Sequence, residues 1–135
     1  LTYSGHPLAC ATAVATIDVM KSEKMVENAA VIGEKILGPG LHELAKKHQV
    51  MGDIRGAGVF WGIDMVTDRN TREPLAPYGA SSPKMNEIVA TCKKNGLMPF
   101  NNFNRTHMVP PCNISEADTK LGLELLSKSL SEVGL

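Results

Sequence analysis

Apolar positions recur at three- and four-residue spacings in the first third of the chain, which is the pattern of helices that bury one face. One helix is predicted over residues 7 to about 20, because Pro7 is tolerated in the first helical turn and apolar residues follow at helical spacing. A second pattern begins near Met25 and meets Gly-Pro-Gly at residues 38–40. Because proline lacks a backbone donor and glycine favours a bend, we expect this triplet to break or kink the helix.

The middle third of the chain changes its period. Glycines punctuate residues 52–62, and the β-branched and aromatic stretch at residues 59–66 predicts a strand. A shorter strand is predicted at residues 54–55, before a glycine turn. Prolines and polar residues at 67–82 predict a long loop that holds at most one short extended piece.

The last third contains two further helix signals. One helix is predicted to start at Ser82 and to end at the Asn-Gly pair of residues 95–96. Short extended segments are predicted at 96–100 and 106–109, and a Ser-x-x-acid signature at Ser115 opens a final helix. This order predicts an α+β fold, a small and mostly antiparallel sheet with helices on one face.

Composition narrows the possible partners. The chain has 135 residues, 43% hydrophobic, which is enough for one domain with a single core. The 14 basic residues cancel the 14 acidic ones, so we expect no nucleic acid and no membrane as partner. Cys10, Cys92 and Cys112 lack the spacing of a disulfide framework or a zinc site, and a cytoplasmic location is expected. Cys10 and Cys92 have the spacing of core positions.

Few residues stand out for chemistry. His6 could act as a base, although a histidine at a helix start more often contacts backbone. Residues 52–62 lack the spacing of a phosphate-binding glycine loop and are typical of a tight turn that feeds a strand. Arg105 could present its planar guanidinium to a carboxylate or sulfonate, or could simply be solvated on a loop. No carboxylate pair and no metal-ligand spacing is evident, so no metal is expected.

Four motifs carry a family resemblance. Residues 2–11, Thr-Tyr-Ser-Gly-His-Pro-Leu-Ala-Cys-Ala, closely resemble the T-[FY]-S-G-H-P-x-A-C-A segment of class III pyridoxal-phosphate-dependent aminotransferases, the fold type I omega-transaminase group. Residues 52–61 are similar to the family's G-D-x-R-G-x-G-[LM]-F-W segment, and residues 68–74 to its D-R-x-T-R-E-P loop. Residues 109–116 resemble the closing x-P-P segment. The chain, which begins without Met, looks like the C-terminal part of such an enzyme.

The resemblance implies a division of the chain. Residues 1–24 would be a linking segment and helix of the large domain, and residues 25–135 the C-terminal small domain of a fold type I transferase. In the family the lysine that holds pyridoxal phosphate lies upstream of the segment that matches residues 2–7, so no catalytic residue is expected here. Thr2 matches a residue that donates to the cofactor phosphate of the partner subunit in the family homodimer.

The resemblance also implies a reaction. Pyridoxal phosphate would accept an amino group from an amine or omega-amino acid of the taurine or β-alanine type and pass it to a keto acid, with the isolated fragment inactive. Family members acting on α-keto acids usually have a carboxylate-binding arginine where Phe100 stands. Either Arg105 binds that anion or another part of the protein does. A glutamate-1-semialdehyde aminomutase-like isomerase and a non-catalytic α+β interaction module remain alternatives.

Overall fold

This computed structural model describes residues 4–135, which begin with helices and continue with three strands, one helix, two strands and a final helix. The helices are α1 (Pro7–Ser22), α2 (Met25–Ile32), α3 (Gly38–Lys47), α4 (Pro83–Lys94) and α5 (Glu116–Glu132), with a π-helical turn at Gly33–Leu37. The strands are β1 (Met51–Ala57), β2 (Phe60–Asp68), β3 (Glu73–Pro74), β4 (Phe100–Asn102) and β5 (Arg105–Met108).

The strands form one sheet in the order β1-β2-β5-β4, with β3 paired to the end of β2, and every pairing is antiparallel. This confirms the α+β fold that the sequence predicts. The β1 strand is longer than expected, because the glycines of residues 52–56 lie within the strand and the turn is confined to Gly58, at φ +53°. The strand expected at 96–100 begins only at Phe100, since Gly96, at φ +89°, belongs to the end of α4.

The helix does not end at residues 38–40, so the expected break is wrong, and the alternative of a kink there stays a prediction. The chain stays helical from α2 through the π-helical turn into α3, and the Gly38 N–H donates to the Gly33 carbonyl. Pro39 lies in the first turn of α3, directly after this wider hydrogen-bonded ring. The π-helical turn therefore accommodates the proline without ending the helix.

The core lies between one face of the sheet, which we call the inner face, and the helices. Alternate β2 residues such as Ile63 and Met65 point into it and are fully buried. The α5 helix packs on α3, α4 and the π-helical turn. The π-helical turn approaches the β1–β2 turn closely because residue 33 is glycine: a Cβ added at Gly33 would overlap the Gly58 carbonyl. The large fully buried side chains are Leu37, Leu41, Met51, Ile63, Met65, Met85, Ile88, Leu126 and Leu130.

The first helix differs from the rest of the fold. No residue of α1 is buried, and its contacts are with α2. Cys10 is exposed because nothing within residues 4–135 covers that position, so its place in a core stays a prediction, whereas Cys92 is fully buried as expected. None of the helices in residues 4–135 combines the length and apolarity needed to cross a membrane.

Candidate functional site

Charged side chains gather on the sheet face opposite the helices, which we call the outer face. Strand alternation places Arg55 of β1, Asp64 of β2 and Arg105 of β5 on this face. In the strand register Arg55 lies opposite Gly62 and Arg105 lies opposite Asp64, and the aliphatic part of the Arg105 side chain passes beside Gly62. The central strand β2 thus brings the Asp64 carboxylate within reach of both guanidinium groups.

Asp64 bridges the two arginines. Its Oδ1 accepts from Arg105 Nε at 2.8 Å, and its Oδ2 accepts from Arg55 Nη2 at 2.5 Å. Arg55 Nε also lies 3.0 Å from Asp53 Oδ2. Arg105 is therefore neither on a loop nor merely solvated: it is the first residue of β5, held through Nε, with 45% of its side chain exposed. Its binding of a substrate anion stays a prediction.

An aromatic patch lies beside these charges on the outer face. The His107 ring lies 6.0 Å from the ring of Phe60 and 5.4 Å from that of Phe100. Partial burial disfavours the charged imidazole and lowers the pKa of His107, the positive charge of Arg105 lowers it further, and Asp64 opposes both. The patch favours neutral, apolar contacts next to the charged cluster.

The loop of residues 68–74 is fixed by its acidic first residue. The Asp68 carboxylate accepts from the Asn70 N–H at 2.6 Å and the Thr71 N–H at 3.0 Å. These hydrogen bonds favour the ionised form and lower the pKa of Asp68. The turn that results holds Arg72 at φ +59°, in the left-handed region.

Arg69 joins this loop to the end of α3. Its Nε donates to the Gln49 carbonyl at 3.0 Å, and its Nη2 donates to the carbonyls of His48, at 2.9 Å, and Met51, at 2.8 Å, and to that of Ala45. The carbonyls near a helix end lack intrahelical partners, so a guanidinium is well suited to bind them. Arg69 is thus a structural residue, which its motif alone does not indicate.

A pyridoxal phosphate site needs a lysine to hold the aldehyde carbon. All ten lysines of the chain fall within residues 4–135, and none of them is buried. Lys84, the least exposed of them, donates to the Val133 carbonyl and to Glu87. Thr2, the predicted contact to the cofactor phosphate, lies outside the described residues. The described residues thus do not form a pyridoxal phosphate site by themselves.

Comparison with known proteins decides the family. The family model of class III aminotransferases matches residues 1–130. The chain belongs to this family. An amine transaminase from an uncultivated Pseudomonas species, crystallised in the PLP-bound internal aldimine form, superposes with a TM-score of 0.89 at 30% identity over 99% of this chain. This chain covers 29% of that protein.

Two further proteins are similar to this chain. A taurine:2-oxoglutarate aminotransferase from Bifidobacterium kashiwanohense, in complex with PLP and glutamate, superposes with a TM-score of 0.88 at 32% identity, covering 98% of this chain and 30% of that one. Ethanolamine-phosphate phospho-lyase homolog 1 of Caenorhabditis elegans is 53% identical over 73 residues, 54% of this chain and 15% of that protein. The chain spans less than a third of the length of each of these relatives.

The class III assignment confirms the family and the small-domain fold expected from the motifs. Sequence reasoning singled out Arg105 but missed its partner Asp64, 41 positions earlier, and the bridging contact to Arg55. Two-residue alternation along β1 and β2 places Arg55 and Asp64 on one face. The strand register that brings them to Arg105 is a tertiary feature, which no local pattern indicates.

Proposed function

We propose that this chain belongs to a longer protein, called the intact protein below, that uses pyridoxal phosphate to move an amino group from an amine or omega-amino acid to a keto acid. The observation that carries this is the superposition of nearly the whole chain on the amine transaminase, together with the family match. The test is an assay of purified intact protein with taurine, β-alanine or an uncharged primary amine as donor and pyruvate or 2-oxoglutarate as acceptor. Failure with every donor and acceptor pair contradicts the proposal.

The chain's own part in that protein is a small domain without catalytic lysine. We expect residues 1–135 alone to have no aminotransferase activity, since none of the ten lysines is buried. Pyridoxal phosphate added to this polypeptide should give no stoichiometric absorbance band that resists dialysis. A band mapped to one of these lysines would contradict this part of the proposal.

Thr2 is proposed to donate to the cofactor phosphate of the partner subunit in a homodimer. A hydrogen bond to a charged acceptor contributes roughly 1.5–3 kcal/mol, so Thr2→Ala in the intact protein should weaken cofactor retention by about one to two orders of magnitude. The dimer should persist, because one polar contact is lost. Ser4→Ala, at an exposed neighbouring hydroxyl, is the matched control. Equal cofactor affinity in both variants removes the assignment.

Arg105 is proposed to bind the anionic end of the substrate. Asp64 engages only its Nε, so the two terminal nitrogens of this half-exposed side chain can bind a carboxylate or sulfonate. Arg105→Lys should raise KM for a keto acid or acidic donor and affect an uncharged primary amine much less. Arg55→Lys is the control, because it disturbs the Arg55–Asp64–Arg105 ion pairs but leaves the Arg105 guanidinium in place. An effect seen only in Arg105→Lys is therefore due to the lost anion contact. Equal effects on both substrate types would assign Arg105 a structural role.

A second reaction is favoured by one observation, the 53% identity to the phospho-lyase homologue. On that precedent the intact protein would eliminate phosphate from an amino alcohol phosphate. Release of inorganic phosphate from ethanolamine phosphate, without a keto acid acceptor, distinguishes this reaction from amino transfer. If the protein transfers amino groups but releases no phosphate, phosphate elimination is excluded and only the transferase proposal remains.

A further inference from the structure

A polar cavity of about 440 Å³ opens at the edge of the outer face, between β1, β2 and the loop of residues 68–74. We call it the arginine cleft. Its volume falls in the range of small-molecule sites, roughly 300–1,000 Å³. The polar side chains that line it are Asp53, Arg55, Asp64, Arg69, Arg72 and Asn104.

The arginine cleft has an excess of positive charge. Three guanidinium groups face two carboxylates, and one of those carboxylates, Asp64, also neutralises Arg105. Arg69 is hydrogen-bonded to neutral backbone carbonyls, so its charge has no acidic partner. Arg72 makes no ion pair or hydrogen bond within residues 4–135. An anion entering the cleft would meet two guanidinium groups that no carboxylate compensates.

Arg72 is presented to the cleft by a constrained turn. Two N–H bonds to Asp68 fix the turn before it, and Thr67 Oγ1 donates to the Glu73 carbonyl after it, at 3.3 Å. A non-glycine residue at φ +59° is held in a conformation that only surrounding contacts maintain. Because the backbone is fixed, the Arg72 side chain starts from a defined position at the edge of the cleft that it lines.

We propose that the arginine cleft binds an oxyanion group, a carboxylate, sulfonate or phosphate, through Arg72, with the charge of Arg69 as support. The group has two possible sources: a small anion from solution, or an acidic side chain from the part of the intact protein outside this chain. The cleft is distinct from the substrate contact proposed for Arg105, because Arg105 does not line the cleft. Arg105 bonds to Oδ1 of Asp64, whereas Arg55 bonds to Oδ2. The proposal therefore does not depend on the reaction proposed above.

The test uses the intact protein loaded with pyridoxal phosphate, so that the cofactor's own phosphate site is filled. Inorganic phosphate is titrated at low ionic strength by isothermal calorimetry. Arg72→Gln should weaken phosphate binding by about tenfold or more, as expected for loss of a two-bond guanidinium contact. Lys35→Gln removes the same charge from an exposed position on the helical side and should leave binding unchanged. Arg105→Gln should weaken binding less than Arg72→Gln does, because Arg105 does not line the cleft and acts on it only through Asp64.

The second arm tests the internal source. If the unaltered protein takes up no phosphate, Arg72→Glu should lower Tm clearly more than Lys35→Glu, because repulsion would replace an ion pair inside the protein. Phosphate binding that disappears in Arg105→Gln but persists in Arg72→Gln overturns the proposal. So does the absence of phosphate binding combined with equal Tm changes in the two charge reversals.

Discussion

The two faces of one strand, β2, have opposite surroundings. On the inner face Ile63 and Met65 are completely buried against the helices, whereas on the outer face Phe60 is 60% exposed and Asp64 bridges two arginines. Burial of apolar surface stabilises by roughly 25 cal/mol per Å², while exposed ion pairs contribute about 0–1 kcal/mol. The inner face therefore carries the stability of the fold, and the outer face is available for binding.

The largest expected effect comes from truncating one residue on each face. Ile63→Ala should lower the free energy of unfolding by about 4 kcal/mol, because it leaves a cavity in a fully buried site. Phe60→Ala, three positions earlier in the same strand, should cost less than about 1 kcal/mol, since most of its ring is already in water. Urea denaturation of the intact protein measures both. Equal losses would show that another part of that protein covers the outer face.

The second expected effect concerns the contact of the π-helical turn with the β1–β2 turn. Gly33→Ala should destabilise by about 3 kcal/mol, because the new Cβ overlaps the Gly58 carbonyl, which belongs to the backbone and cannot rotate away. Gly122→Ala is the matched control, since nothing lies within 4 Å of the Cβ it adds. Within α5 that change should raise stability by about 0.5–1 kcal/mol. Thermal unfolding curves in which both variants shift the same way would refute the packing argument.

Local signals predicted the fold well, and contacts between distant residues explain what they missed. The caps of α4 and α5 were predicted because each signal lies within one turn: Ser82 accepts from Met85 N–H, and Ser115 from Asp118 N–H. The π-helical turn was missed because the sequence shows only that Pro39 lacks a backbone N–H. A break, a kink or a π-helical turn can each accommodate that loss, and the sequence does not choose among them. The role of Arg69 was missed because its carbonyl partners lie 18–24 positions away.

The third expected effect compares two arginines of different surroundings. Arg69→Gln should destabilise by about 2 kcal/mol, because four backbone carbonyls lose a charged donor and part of that set is shielded from water. Arg55→Gln should cost less than about 1 kcal/mol, as its partners are exposed carboxylates of the outer face. Denaturant midpoints and slopes of the two variants give the comparison. A larger loss at Arg55 would assign a structural role to the outer face.

The smallest expected effect is a pH response on the outer face. The pKa of His107 lies below its ordinary value of 6.5, so the unfolded chain binds a proton that the folded one does not. The free energy of unfolding should therefore be unaffected by His107 above about pH 6.5. It should decrease as the pH falls from 6.5 toward the lowered pKa of His107. An NMR titration of the His107 ring in the intact protein measures that pKa directly.

Two substitutions should move the His107 titration in opposite directions. Arg105→Gln removes a nearby positive charge and should raise the pKa of His107, whereas Asp64→Asn removes a negative charge and should lower it. Both variants disturb the same Arg105–Asp64 hydrogen bond, so a change in packing alone would move the two titrations alike. Shifts of opposite sign would show that the outer face acts on His107 through its charges. Shifts of the same sign would show that burial of the ring decides its pKa and that the ion network has no electrostatic influence on it.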